Sequence, residues 1–135
     1  MDMTAEELAA SGEDPAFTEN WGEFRLTLGH GRFVFTQRNP PACTWAYGTY
    51  TLVDSRLELA VIDGGGMAPN HATNKPGEVF DYTVSVYRGT MRWSGIPNSI
   101  SPAAWDYKPW LRQPDRPTRE FLDLRCAPPD AAYAR

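Results

Sequence analysis

Little in this chain of 135 residues invites metal, nucleotide or redox chemistry. Its two histidines (His30, His71) and two cysteines (Cys43, Cys126) stand far apart and match no metal-ligand spacing. Gly64-Gly65-Gly66 lacks the G-K-[ST] ending of a phosphate loop, and no glycine-rich turn of dinucleotide type opens a helix. No Ser–His–Asp or G-x-S-x-G arrangement is present. The expectation is a protein with no metal and no cofactor. Lysine is equally scarce, two against eleven arginines, and seventeen acidic residues leave a net charge of −4. Without a cluster of basic residues, nucleic acid is not an expected partner. No apolar run is long enough to cross a bilayer, and residues 1–17 have neither the basic start nor the apolar centre of an export signal. A cytoplasmic protein without a membrane partner is expected. In that compartment the cysteines are expected as reduced thiols, although a disulfide between them would close a long loop and stabilise by roughly 4 kcal/mol.

Aromatic residues are abundant: 13% of the chain, with five Trp and six Tyr. Rings in that number must be buried or used. The length suits a single domain, 1–135, with one core. It divides into a helical segment at 1–20, a β-barrel at 21–113, and a closing strand or helix with a tail at 114–135. Thr4-Ala5-Glu6-Glu7 is a capping box, which predicts a short helix through Ala10 ended near Gly12. Asp14-Pro15 repeats the start signal, so a second helical turn is expected before Trp21.

From Gly22 the period becomes two. Phe24, Leu26 and Leu28 alternate with polar residues, and Gly29-His30-Gly31 turns the chain into 32–37, where Phe33, Phe35 and Gln37 share a face. Arg38-Asn39-Pro40-Pro41 ends that strand. In 44–52, Trp45 and Tyr47 face one way and Tyr50 and Leu52 the other, with Gly48 between them as the position for a bulge. Strands over 56–62, 78–87 and 90–93 follow, joined by tight turns at 54–55 and 88–89, with a last strand at 107–113. The fold class is therefore all-β, a single antiparallel up-and-down barrel of seven to eight strands with a short N-terminal helix. Alternating strand directions gather the tight turns at one end. They gather the segments 38–43, 63–78 and 94–106, with the helix, at the other, and long loops of this kind are usually binding loops or lids.

The inward set Phe24, Phe33, Phe35, Tyr50, Tyr82, Met91 and Trp93, with Gln37 at a strand end, carries the functional reading. Small barrels either fill their interior or enclose one ligand. Polar tips on Tyr, Trp and Gln favour the ligand. Trp45 joins this binding set, and Trp105 is placed at the mouth, to clamp a ligand or to anchor the last strand. Asp63 and His71, eight residues apart around the glycine run, are the acid–base candidates, with Tyr50 and Tyr82 to polarise or stack.

The N-terminal helix, Asn20-Trp21-Gly22 at the start of the first long strand, the string of hairpins, and Trp110 with Arg112 near the end together resemble the calycin superfamily of lipocalins and fatty-acid-binding proteins. In lipocalins a G-x-W motif opens the first strand, a late Arg packs across that Trp, and the mouth lies opposite the N-terminal helix. The resemblance is one of architecture over most of the barrel. Calycin-like barrels include allene oxide cyclases and the cyclases of polyketide pathways, to which the chain is similar in size and class. The leading expectation, from an interior that offers shape, stacking and one or two hydrogen-bond donors, is a barrel that encloses a hydrophobic, partly conjugated small molecule and promotes its cyclisation or isomerisation. A lipocalin-like carrier and a structural domain with a packed interior are the alternatives, and a homodimer is compatible with each.

Overall fold

In a computed structural model of the protein, residues 1–11, 21–39, 42–67, 75–94 and 108–112 are described. They form β1 (Asp2–Met3), α1 (Ala5–Ala10), β2 (Gly22–Gly29), β3 (Arg32–Asn39), β4 (Ala42–Val53), β5 (Arg56–Met67), β6 (Val79–Tyr87), β7 (Thr90–Ser94) and β8 (Trp110–Leu111). The strands make one antiparallel up-and-down sheet in sequence order, curled into a half-barrel. Among the described residues β1 and β8 do not pair, so the sheet keeps two edges. Side chains bring those ends together: the rings of Phe24 on β2 and Trp110 on β8 lie 6.1 Å apart.

The capping box forms as its sequence requires. Thr4 Oγ1 accepts from the Glu7 amide and Glu7 Oε2 accepts from the Thr4 amide, which satisfies two donors that a helix start leaves open. The helix ends at Ser11, its single buried residue is Leu8, and Lys108 donates to Glu7 across 101 residues of sequence. The second helical turn expected at Asp14-Pro15 lies outside the described residues, as does the tail from 113.

Three two-residue hairpins turn the chain at one end. Register places Gly29 opposite Arg32, Val53 opposite Arg56 and Tyr87 opposite Thr90. The first turn residues, His30, Asp54 and Arg88, have φ of 52°, 54° and 48°. Positive φ matches turn twist to strand twist, which is why Gly follows in two of the three.

The opposite end departs from expectation. Arg38 and Asn39 still pair, with Cys43 and Ala42, so only residues 40 and 41 separate β3 from β4, where a longer loop is expected from the two prolines. Both residues before the prolines keep their own N–H and can stay in the ladder. The segment from 63 is likewise not a loop at its start. β5 runs on to Met67, with Gly64, Gly65 and Gly66 opposite Ala46, Trp45 and Thr44. A Cβ at Gly65 would lie 2.7 Å from the Trp45 ring, so an indole occupies the space a side chain would need. The register shift falls at Tyr47/Gly48 as expected from Gly48, but the extra residue is Ile62 on β5. Alternation in β4 is therefore uninterrupted. Met1 to Met3, assigned no strand by pattern, hydrogen-bond along β2, and Met3 is buried.

One cluster forms the core: Met3, Leu8, Phe24, Phe33, Phe35, Ala46, Leu57, Leu59, Val61, Tyr82, Val84, Trp93 and Trp110. Rings run through it in an unbroken series from β6 to β3. Centroid separations are 6.3 Å for Phe80–Tyr82, 4.8 Å for Tyr82–Trp93, 5.5 Å for Trp93–Trp110 and 6.5 Å for Phe24–Phe35. Such pairs add about 0.5–1.5 kcal/mol each beyond the area they bury. Cys43 is buried and disulfide-bonded, in place of the reduced thiol expected of a cytoplasmic chain. The sequence has one other cysteine, Cys126. None of the described helices is long and apolar enough to cross a membrane.

Candidate functional site

Strand alternation and burial together define the concave face. It carries Phe24, Leu26 and Leu28 of β2, Phe33, Phe35 and Gln37 of β3, Tyr50 and Leu52 of β4, and Tyr82, Val84 and Val86 of β6. Burial along this face is uneven. Phe24 at the start of β2 is 0% exposed, and Leu57 and Tyr82, in one cross-strand row with Leu52, are 0% and 2% exposed. Leu26, Leu28, Tyr50, Phe80 and Met91 are partly buried against the core. Leu52 and Val86, nearest the tight turns, are 45% and 64% exposed. Apolar side chains thus face water at Leu52 and Val86, beside two of the tight turns, while Phe33 and Leu57, as close to such turns, are enclosed by the core. The long-loop segments 68–74 and 95–107, where the mouth is expected from loop lengths, lie outside the described residues.

The binding candidates fall into two groups. Phe24, Phe33, Phe35, Tyr82 and Trp93 are core, each touching other core side chains; Tyr50 and Met91 border the open end. Gln37 is buried, and its amide donates to the Trp21 carbonyl at 3.3 Å, tying the start of β2 to β3. Trp45 lies on the convex face, stacked on Tyr47 with centroids 6.0 Å apart and an interplanar angle of 9°. It covers Gly65 there and does not line the interior. Trp105 lies outside the described residues.

The acid–base set is not assembled on one face. Asp63 pairs with Tyr47 and shares its outward parity, and its Oδ1 accepts from the Gly64 amide at 2.9 Å. Tyr50 and Tyr82 face the other way. Burial pushes the Tyr82 phenol well above its ordinary value of 10, so it stays neutral and can act only as a hydrogen-bonding group. His71 lies outside the described residues. Among the described residues no group of three His, Cys, Asp or Glu side chains is placed to hold a metal ion.

Loop length points away from Leu52 and Val86, the exposed inward residues that border the opening. What could have found them is strand parity combined with closeness to a two-residue turn. Burial then separates these positions, because Phe33 and Leu57, inward and as close to such turns, are 1% and 0% exposed.

No protein-family model, curated protein or solved structure matches the chain.

Proposed function

We propose that the protein binds a small apolar molecule on its concave face at the tight-turn end and holds or carries it without chemical change. The observation that carries this reading is the contrast between a ring-packed core and the inward apolar side chains left in water at Leu52 and Val86. Covering one such side chain is worth roughly 1.5–3 kcal/mol, so a ligand that buries several gains useful affinity from shape alone. An opening on the side away from α1 also agrees with the mouth of a lipocalin-like barrel. Cyclisation or isomerisation is the weaker reading. It keeps Tyr50, half-buried beside the opening, as its one donor, because Asp63 faces the other side of the sheet and Tyr82 is enclosed by rings. The disulfide at Cys43 supports an oxidising compartment in preference to the cytoplasm.

Titration with the neutral apolar dye Nile red tests the site. Leu52→Asp and Val86→Asp each place a charge where the ligand would lie, and each is expected to weaken binding about tenfold or more while the fold persists. Unaltered dye binding in both variants would overturn the proposal. A ligand extracted from purified protein and returned unchanged after long incubation separates a carrier from an enzyme. Conversion that Tyr50→Phe abolishes would establish the enzyme.

A further inference from the structure

We infer that the corner made by the β6–β7 hairpin and β8 docks on an anionic lipid surface. Cross-strand pairing aligns Tyr87, Thr90 and Leu111 in one row on the convex face. Tyr87 is 69% exposed and Leu111 61% exposed, while Val86, one residue away, is exposed on the concave face. Three arginines surround them. Arg88 occupies the turn with its guanidinium 5.1 Å from the Tyr87 ring centre, Arg92 is exposed on β7, and Arg112 is exposed just after Leu111, its amide donating to the Gly89 carbonyl.

The local charge opposes that of the chain. Residues 82–94 and 108–112 contain Arg88, Arg92, Lys108 and Arg112 and no acid, in a protein of net charge −4. Lys108 is paired with Glu7; among the described residues none of the three arginines is in an ion pair. The other hairpins lack this combination. The turn at Asp54 is flanked by exposed Leu52 and Val53 but carries Asp54 itself with Glu58 nearby, and its Arg56 is held by Asp81. The turn at His30 has no exposed large apolar residue beside it.

Apolar side chains ringed by arginine suit the boundary between lipid headgroups and acyl chains. The apolar groups enter it, the guanidinium groups bind phosphate with their stems along the apolar layer, and tyrosine favours this depth. Exposure on both faces of the strands favours a bilayer over a protein groove. A groove would have to enclose the hairpin tip from two sides, whereas a fluid interface admits it directly. A surface contact of this kind needs no spanning segment, so it departs from the expectation of no membrane partner without conflicting with the sequence behind that expectation. It would also bring the open concave end to the lipid.

Co-sedimentation with vesicles of phosphatidylcholine, and of phosphatidylcholine with an equal part of phosphatidylglycerol, tests the inference. Expected are partitioning onto the mixed vesicles alone, weakening with added salt, and a loss of about fivefold for each of Arg88→Gln, Arg92→Gln and Arg112→Gln. Leu111→Ser should weaken it as well, and Lys75→Gln, away from this corner, should not. Equal binding to both vesicle types, or arginine variants that bind like the wild type, would overturn the inference. So would a dimer in gel filtration that Leu111→Ser abolishes, since the occupant would then be a second copy. Nile red binding by the same arginine variants is expected to be unchanged, which separates failure here from failure of the proposed ligand site.

Discussion

Gly48 has no room for a side chain. A Cβ there would overlap the Ala60 carbonyl oxygen and lie 2.8 Å from the Phe33 ring. Gly48→Ala is therefore expected to destabilise by about 1–3 kcal/mol or more in denaturant titration, because both neighbours are fixed by the ladder and the core. Trp93, packed on Tyr82 and Trp110, should cost about 3–5 kcal/mol when cut to Ala. Tyr82 adds a pH dependence whose sign follows from its raised phenol. The unfolded chain gives up that proton near the ordinary value of 10, whereas the folded protein retains it. Stability is complete below that pH and falls as pH rises from it toward the folded value. Tyr82→Phe should flatten this alkaline decline, measured as unfolding free energy against pH. The buried residues named here were legible from alternation alone, since each is hydrophobic at an inward position. Gln37 was not: an amide looks the same in sequence whether it awaits a ligand or binds the Trp21 carbonyl.

At the scale of elements, α1 is held at two points by one carboxylate. Glu7 caps its own helix and accepts from Lys108 at 2.7 Å next to β8. The Lys108 hydrogen bond, and then the Thr4 amide, lower Glu7 below its ordinary value of 4.5. The resulting stability is present above that value and is lost as pH falls through the folded one. Lys108→Ala should make the acid limb of the stability profile shallower, and Thr4→Ala should cost about 1 kcal/mol at neutral pH. The capping box and all three hairpins were readable because their signals are local, carried within two to four residues. The extension of β5 was not. Gly64-Gly65-Gly66 reads as a flexible loop until Trp45 is seen on the neighbouring strand, filling the space above Gly65. β1 was hidden for a related reason, since a two-residue strand has no period and exists only by pairing with β2.

Across the whole molecule, the disulfide and the half-barrel bear on each other. Cys43 lies beside the end of β4 where Ala42 meets Asn39, and a covalent tie there restrains the unfolded chain over any long loop it closes. Reduction is expected to lower stability by about 2–4 kcal/mol, seen as a shifted midpoint in denaturant with and without reductant. Sequence by itself determined the class of fold, the up-and-down order, the tight-turn end and the inward face, because strand period and turn chemistry are short-range properties. Only the tertiary structure decided where the interior is solid and where it is open. Both ends of the concave face carry the same kinds of residue in the same alternation. What distinguishes them is how many neighbours from other strands, α1 and β8 close over each, and that depends on strand offset and the curl of the sheet. The same tertiary pairing, with its bulge at Ile62, placed Asp63 on the outer face opposite Tyr47. It also gathered Arg88, Arg92 and Arg112 around Tyr87 and Leu111, which sequence separation had kept apart.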